Sequence, residues 1–182
     1  AVVAEGFEAG GHNGREETTS FVLIPLVKAA VDIPVIAAGG IATGKQMLAA
    51  MILGAEAVQI GTRFVCTHEA SSHDSFKEAV IQAGEGATQL SMKKTVPVRL
   101  LKNAFYHKIQ AAEDAGADAS SLKEILGKGR AKKGMFEGDL EEGELEIGQV
   151  AALVQRIQPA AEVVAEIWRE YNELLESIKK GA

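Results

Sequence analysis

The sequence predicts an α/β fold in which parallel strands alternate with helices over the first 65 residues. Three short apolar runs rich in β-branched residues, at positions 2–4, 35–38 and 57–60, are each followed by glycine. The runs lack polar alternation, which is typical of parallel strands buried on both faces. Their spacings of roughly 20 to 35 residues leave room for a helix in each connection. We therefore predict βαβ units here.

Both connections carry helical signals. In the second, Thr43 and Gln46 stand at the spacing of a capping box, apolar residues follow, and Gly54 ends the predicted helix. In the first, Pro25 has no backbone N–H, so we expect it in the first turn of the helix. The apolar stripe of that helix consists of Leu23, Leu26, Val27, Ala30 and Val31.

The rest of the chain is predicted to be mainly helical. Residues 72–83 and 100–115 predict helices, whereas residues 87–91 fit either a helix or a strand. Residues 127–148 are rich in Lys, Glu and Gly, and we interpret their charges as a solvated surface. Residues 160–178 carry an amphipathic stripe that predicts packing against the body of the protein. Oligomer assembly through this helix is the alternative.

Composition excludes several functional classes. The chain has 182 residues, of which 47% are hydrophobic and 24% charged, with a net charge of −6. A negative net charge does not favour binding to nucleic acid or to an anionic membrane. No apolar stretch reaches the roughly 18 to 20 residues that a membrane-spanning helix needs. The single cysteine, Cys66, excludes an intrachain disulfide and a cysteine-based zinc site. We expect a cytoplasmic protein, a small buried Cys66 side chain and no metal site.

Two consecutive strand ends carry glycine in front of a helix. Gly39 and Gly40 follow the second strand, and Gly61 follows the third. Glycine lets the backbone approach an anion, and a helix start supplies free N–H groups. In (β/α)₈ barrels the loops after strands 7 and 8 form such a phosphate site. A tight turn would explain one of these glycines alone, but two adjacent units favour phosphate binding.

His12 is the candidate catalytic residue. It follows the first strand in a loop with Gly10, Gly11 and Gly14, which leave room for a planar ligand. Imidazole exchanges a proton near neutral pH. The remaining histidines lack such a setting and are interpreted as structural or surface residues: His68, His73 and His107.

Three ordered segments resemble the FMN-dependent nitronate monooxygenase and enoyl-acyl-carrier-protein reductase II superfamily. They are Glu-Gly-Phe-Glu-Ala-Gly-Gly-His-Asn-Gly (5–14), Pro-Val-Ile-Ala-Ala-Gly-Gly-Ile (34–41) and Gly-Ala-Glu-Ala-Val-Gln-Ile-Gly-Thr-Arg-Phe (54–64). The resemblance continues through residues 98–103, 137–140 and 148–149, so it covers most of the chain.

The resemblance implies a TIM barrel with FMN at the C-terminal ends of its strands. His12 falls on the active-site histidine beside the flavin, and residues 59–62 fall on the phosphate-side loop. At the position of Glu5, Gln is common in the monooxygenase branch of the superfamily. Glu at this position is more like the reductase branch. The implied cofactor-binding residues are Glu5, Gly10, Gly11, Gly39, Gly40, Gln59, Ile60, Gly61 and Thr62.

Chain length implies an incomplete barrel. A complete one needs about 250 residues and eight strands, whereas this sequence predicts three strands. We therefore expect the C-terminal part of a barrel, strands six to eight, in residues 1–92, followed by a helical and loop extension (93–159) and an amphipathic helix (160–182). The expected partners are the N-terminal half of the same enzyme and a second copy in a homodimer.

The leading functional interpretation is an enoyl-acyl-carrier-protein reductase of fatty acid synthesis. NADH or NADPH would reduce FMN, a hydride would pass to the substrate β-carbon, and an acid would protonate the α-carbon. Acyl carrier protein would then be a substrate-bearing partner. The first alternative is a nitronate monooxygenase that oxidises alkyl nitronates with oxygen, with His12 as base. A more remote alternative is a barrel that binds a phosphate ligand without redox chemistry.

Overall fold

A computed structural model describes residues 1–181 as two small sheets surrounded by helices. The strands are β1 (Val2–Glu5), β2 (Gly11–His12), β3 (Val35–Ala38), β4 (Ala57–Gln59), β5 (Thr88–Ser91) and β6 (Val98–Leu101). The helices are α1 (Ser20–Ala30), α2 (Gly44–Ile52), α3 (Thr62–Val65), α4 (Asp74–Ile81), α5 (Ala104–Asp114), α6 (Ala119–Leu126), α7 (Arg130–Met135) and α8 (Ala160–Gly181). A 3₁₀ helix spans Gln149–Leu153.

The three predicted parallel strands are confirmed. They form one sheet in the order β1-β3-β4, and every pair in it is parallel. Ala37 on the central strand packs with Ile24 of α1 and Ala50 of α2, so these helices cover one face. On the opposite face Val3, Ile36 and Ala57 are in register, and Val3 is 45% exposed. The sheet therefore has one covered face and one largely open face.

Helix α2 begins as its sequence predicts. The Thr43 hydroxyl accepts a hydrogen bond from the Gln46 N–H (3.3 Å), and the Gln46 side chain accepts one from the Thr43 N–H (3.1 Å). This is the predicted capping box. Gly54 adopts φ +109°, which ends the helix and turns the chain towards β4.

Helix α1 begins earlier than predicted, and Pro25 lies in its second turn rather than its first. The start is fixed by a contact from outside the helix, because the Glu8 carboxylate accepts the Ser20 N–H at 2.9 and 3.1 Å. The predicted stripe is also partly wrong, since Ile24 is the fully buried position and Leu26 is 59% exposed.

Residues 87–101 form strands rather than the start of a helix. β5 and β6 pair antiparallel, and β2 pairs with the other edge of β6. The helix predicted from residue 100 begins at Ala104 instead, where Asn103 Oδ1 accepts the Tyr106 N–H (2.9 Å). β5 and β6 are consecutive strands, but β2 lies far from β6 along the chain, so a local apolar period could not reveal that pairing. The boundary expected between residues 92 and 93 falls in the turn that joins β5 to β6.

Helix α8 packs along α2. Glu170 accepts the N–H of Gly44 at 2.8 Å, and a β-carbon on Gly44 would lie 2.4 Å from the Ile167 carbonyl oxygen. Val163 and Ile167 are buried, whereas Trp168 is exposed. Ala182, the last residue of the predicted terminal helix, lies outside the described residues. Within residues 1–181 no helix is both long and apolar enough to cross a membrane.

Candidate functional site

The carboxyl ends of β1, β3 and β4 open into one cleft of about 210 Å³. Strand ends of a parallel sheet are where ligands bind in α/β folds. Pockets that enclose a small-molecule ligand usually have a volume of roughly 300 Å³ or more. The cleft is smaller, so it could form only one side of such a site. Most of the predicted cofactor-binding residues line it: Glu5, Gly10, Gly39, Gly40, Gln59, Gly61 and Thr62.

Residues on two adjacent strand ends line the cleft and have backbone N–H groups without a hydrogen-bond partner among the described residues. Among the hydrogen bonds of residues 1–181, none uses the backbone N–H of Gly39, Gly40, Gly61 or Thr62. Gly39 and Gly40 have φ of +82° and +73°, the left-handed region that favours glycine. No Lys or Arg of the described residues lines the cleft. An anion would therefore be held by the backbone.

The space in front of Gly61 is open. A β-carbon there would meet no atom within 4 Å, and its φ of −97° is one that any residue adopts. At Gly39, by contrast, a β-carbon would lie 2.7 Å from the Gly6 carbonyl oxygen. Gly61 is thus the position where a side chain can be added to the cleft without straining the backbone.

A distant segment closes the other side of the cleft. The Gly148 N–H donates to Thr62 Oγ1 (3.0 Å), and a β-carbon on Gly10 would lie 2.4 Å from the Gly148 nitrogen. The Gln149 N–H donates to the Glu8 carbonyl (2.9 Å). Two glycines are therefore required where the loop after β1 touches residues 148–149.

Glu8 is a cleft residue that sequence reasoning missed. Its carboxylate accepts the Ser20 N–H and the Ser20 hydroxyl (3.1 Å), and it lies 3.4 Å from where a Gly40 β-carbon would be. Ser20 Oγ also lies 2.8 Å from the Gly39 carbonyl oxygen. An acid at a helix start is a known capping pattern, but here twelve residues separate the acid from the helix. Sequence spacing gave no signal for it.

Three predicted site residues lie outside the cleft lining. Gly11 (φ +76°) pairs with Arg99 in the second sheet, and Ile60 packs against the apolar core beneath the parallel sheet. His12 pairs with Val98, and its side chain is exposed. His12 is two residues beyond Gly10, which does line the cleft, and we call this exposed position next to the cleft its rim.

Arg99 anchors the loop of residues 5–14. Its side chain is fully buried, its Nε and Nη2 donate to the Phe7 carbonyl (3.2 and 2.8 Å), and its guanidinium lies 4.4 Å from the Phe7 ring centre. Burial lowers the pKa of Arg99, and attraction to Glu8 and Glu17 opposes this. The second sheet thus holds in place the loop that carries Glu8 and His12.

Two acids in the segment interpreted as solvated surface are in fact inside the protein. Glu144 is 6% exposed, and Glu146 lines the cleft. The residues that alternate with them, Leu145 and Ile147, belong to the core, because the chain is extended and bridged to Leu100. The interpretation of residues 127–148 as a solvated surface is therefore wrong for residues 144–147, because this part of the segment pairs with strand β6.

Burial changes the acidity of both groups. It raises the pKa of Glu144 to about 7, with repulsion from Glu146 adding to the rise and attraction to Arg130 opposing it. Burial also raises the pKa of Glu146, and attraction to His12 opposes that rise. Among the described residues, neither carboxylate has an ion pair within 4 Å. We call Glu144 and Glu146 the carboxyl pair.

Replacing Glu144 by Gln is expected to stabilise the fold above pH 7. A folded-state pKa near 7, above the usual 4.5, means that wild-type stability falls as pH rises from about 4.5 to about 7. Gln cannot ionise, so the variant gains up to the order of 2–3 kcal/mol over wild type at pH 8 and little at pH 5. Urea unfolding at both pH values measures this. Glu141→Gln, which replaces an exposed acid on the same segment, is the control. Parallel pH profiles for wild type and Glu144→Gln would contradict the prediction.

Comparison with known proteins identifies the family. The nitronate monooxygenase family model matches residues 1–170. A probable nitronate monooxygenase from Staphylococcus saprophyticus is 34% identical over 187 aligned positions, which cover 96% of this chain and 51% of the relative. The solved structure of FabK from Thermotoga maritima superposes with a TM-score of 0.92 at 41% identity, over 99% of this chain and 57% of FabK.

A second solved structure extends the comparison. Nitroalkane oxidase from Streptomyces ansochromogenes superposes with a TM-score of 0.77 at 33% identity, over 97% of this chain and 52% of the oxidase. The chain spans about half the length of the curated relatives that it matches. Family model, sequence relatives and superposition agree, and the chain belongs to the nitronate monooxygenase family, whose members are FMN-dependent oxidoreductases.

Proposed function

We propose that the protein carrying this chain is an FMN-dependent reductase of enoyl thioesters on acyl carrier protein, with NADH or NADPH as the reductant. The likeness to FabK carries the proposal, because its TM-score and identity exceed those of nitroalkane oxidase. Glu5, which resembles the reductase branch, lines the cleft and supports the same choice.

The cleft residues fit FMN. The backbone N–H groups of residues 39–40 and 61–62 would hold its phosphate, and Gly10 lines the same cleft. FMN, when bound, supplies hydride transfer. His12 at the rim would move the proton that the substrate takes up, and Arg99 keeps its loop in place.

The alternative proposal is nitronate oxidation. The names of the curated relatives favour it, since the probable nitronate monooxygenase from Staphylococcus saprophyticus covers nearly the whole chain. In that reaction His12 would act as the base. A non-redox barrel is not proposed, because the family consists of oxidoreductases.

Anaerobic turnover separates the two reactions. A reductase oxidises NADH or NADPH without oxygen when a 2-enoyl thioester is added, whereas a monooxygenase consumes oxygen with an alkyl nitronate and needs no nicotinamide. We expect thioester-dependent oxidation of the nicotinamide by the flavin-loaded protein. Oxygen uptake with a nitronate, and no response to the thioester, would reject the reductase.

We also propose that the open face of the parallel sheet packs against further strands of the same enzyme. β1 and β4 are the two edge strands, and Val3, Phe21 and Leu26 are exposed around β1. Exposed apolar surface next to an unpaired strand edge suits strand addition. Homodimer formation is a second proposal for these surfaces.

Covering this face is expected to raise stability. The 182 residues expressed alone should unfold at lower urea concentration than the same residues within the longer enzyme, because Val3 and Ile36 lose a packing partner. Hydrogen exchange of the β1 amides in both forms measures the effect at the edge itself. Equal protection of β1 in the two forms would contradict this.

A further inference from the structure

We propose that the carboxyl pair is a proton store for the cleft, in which Glu146 supplies a proton to His12 through water and Glu144 is a positioning residue that keeps one proton on the pair. This rests on the proposed reductase function and adds residues to it. Nothing in the apolar periodicity of residues 127–148 marks these two acids, so only their placement in the fold carries the inference.

Glu146 lies in the cleft, beside the loop that carries His12. It lines the cleft together with Gly39, Gly40 and Gly61. Its Oε2 lies 2.6 Å from where a β-carbon on Gly11 would be, so the carboxylate fills the space that the glycine leaves. His12 is the next residue after Gly11. Among the described residues no hydrogen bond or ion pair within 4 Å joins the two side chains, so a proton would pass between them through water.

Glu144 is the buried neighbour of Glu146 on the same extended segment. Residues two apart on an extended segment point to the same side, so Glu144 and Glu146 are neighbours there. Glu144 is almost fully buried, and the nearby Arg130 is occupied by Glu142 at 2.9 Å. Two acids this close, with no ion pair among the described residues, do not both ionise readily, and their titration belongs to the pair.

Charges around the pair explain why its proton is available near neutral pH. Attraction to Arg130 favours ionisation of Glu144 and attraction to His12 favours ionisation of Glu146, whereas repulsion from Glu146 disfavours ionisation of Glu144. Glu5 and Glu8 line the same cleft and add negative charge. Burial adds to this repulsion, so one carboxyl retains its proton at pH values where an exposed glutamate has none.

In the proposed step, an enoyl thioester takes up one hydride and one proton. The β-carbon receives a hydride, with both electrons coming from NADH or NADPH by way of the flavin. The π electron pair moves to the α-carbon and forms a C–H bond with a proton from His12. His12 regains its proton from Glu146 through water, the negative charge stays on the pair, and solvent then restores the proton of the pair. Oxidation of nitronate anions requires no such acid.

Glu146→Gln in the flavin-loaded protein tests the proposal. The rate at which pre-reduced enzyme is reoxidised by a 2-enoyl thioester should fall about tenfold or more at pH 8, with FMN content unchanged. Glu144→Gln should shift the alkaline limb of the pH profile, which a merely structural role would not do. Glu141→Gln, an exposed acid on the same segment, should leave both the rate and the pH profile unchanged.

A direct readout is independent of activity. In protein labelled with ¹³C at glutamate carboxyl carbons, one resonance should titrate near pH 7, disappear in Glu144→Gln and move to lower pH in Glu146→Gln, because the repelling neighbour is gone. Absence of a carboxyl that titrates near neutral pH overturns the proposal. So does a wild-type pH profile for Glu146→Gln. If neither the wild type nor any variant binds flavin, the proposed function is rejected. The carboxyl titration can still be measured in that case, so it tests the carboxyl pair separately.

Discussion

Gly61→Leu is expected to lower the affinity for FMN by roughly 100-fold or more. A side chain at Gly61 would project into the cleft, where a β-carbon meets no protein atom within 4 Å. It would cover the free N–H groups of Gly61 and Thr62, and the loss of two charge-assisted hydrogen bonds costs about 3 kcal/mol or more. Flavin absorbance after dialysis, followed by FMN titration, measures the loss.

A substitution at Gly61 tests steric blockade of the cleft without adding backbone strain. Gly40→Val would also be expected to empty the site, but Gly40 has φ +73°, so loss of flavin there would have two causes. Gly84 is the matched control: it has the same open space for a β-carbon, and it lies outside the cleft. Gly84→Leu should keep full flavin content. Equal flavin content in Gly61→Leu and Gly84→Leu would reject phosphate binding at this strand end.

His12→Ala is expected to lower turnover by roughly 10²- to 10⁴-fold while FMN stays bound. The expectation follows from two features: His12 lies at the rim of the cleft, and the free N–H groups proposed to hold the phosphate belong to the loops after β3 and β4. Because the nicotinamide reaction needs no protein acid, it could limit the overall rate. The measurement is therefore the reoxidation of pre-reduced enzyme by a 2-enoyl thioester.

His107→Ala is the control for this variant, since His107 is exposed on α5. It should behave as wild type. A structural His12 would give the opposite pattern, with lower stability and less flavin but normal turnover for each bound FMN. An unchanged reoxidation rate in His12→Ala would remove His12 from the mechanism, and with it the proton transfer that we propose from Glu146.

The parallel sheet and α2 could be predicted because their signals are local. Apolar runs without alternation mark β1, β3 and β4, and Thr43 and Gln46 satisfy each other within one turn. The glycines after these strands could be assigned to the cleft for the same reason, since strand ends of one parallel sheet share an edge. Glu5, Gly39, Gly40 and Gly61 all line it.

Tertiary structure alone decided the features that depend on distant partners. Residues 87–91 fit either a helix or a strand, and residues 100–101 are predicted as helix; their pairing in β5 and β6, with β2 on the other edge of β6, makes them strands. Glu8 caps a helix twelve residues away, and Gly10 meets Gly148 across most of the chain. None of these contacts leaves a periodic trace in the sequence.

The carboxyl pair shows the same division most clearly. By itself the sequence determined the α/β class, the glycine-lined strand ends and a family resemblance that the comparisons confirmed. It also presented Glu144 and Glu146 as two more charges in an acidic stretch. Only the pairing of their segment with β6 buries Glu144 and half-buries Glu146 at the cleft. Acidity depends on desolvation and on neighbouring charges, and both are set by residues that the fold brings together rather than by the local sequence.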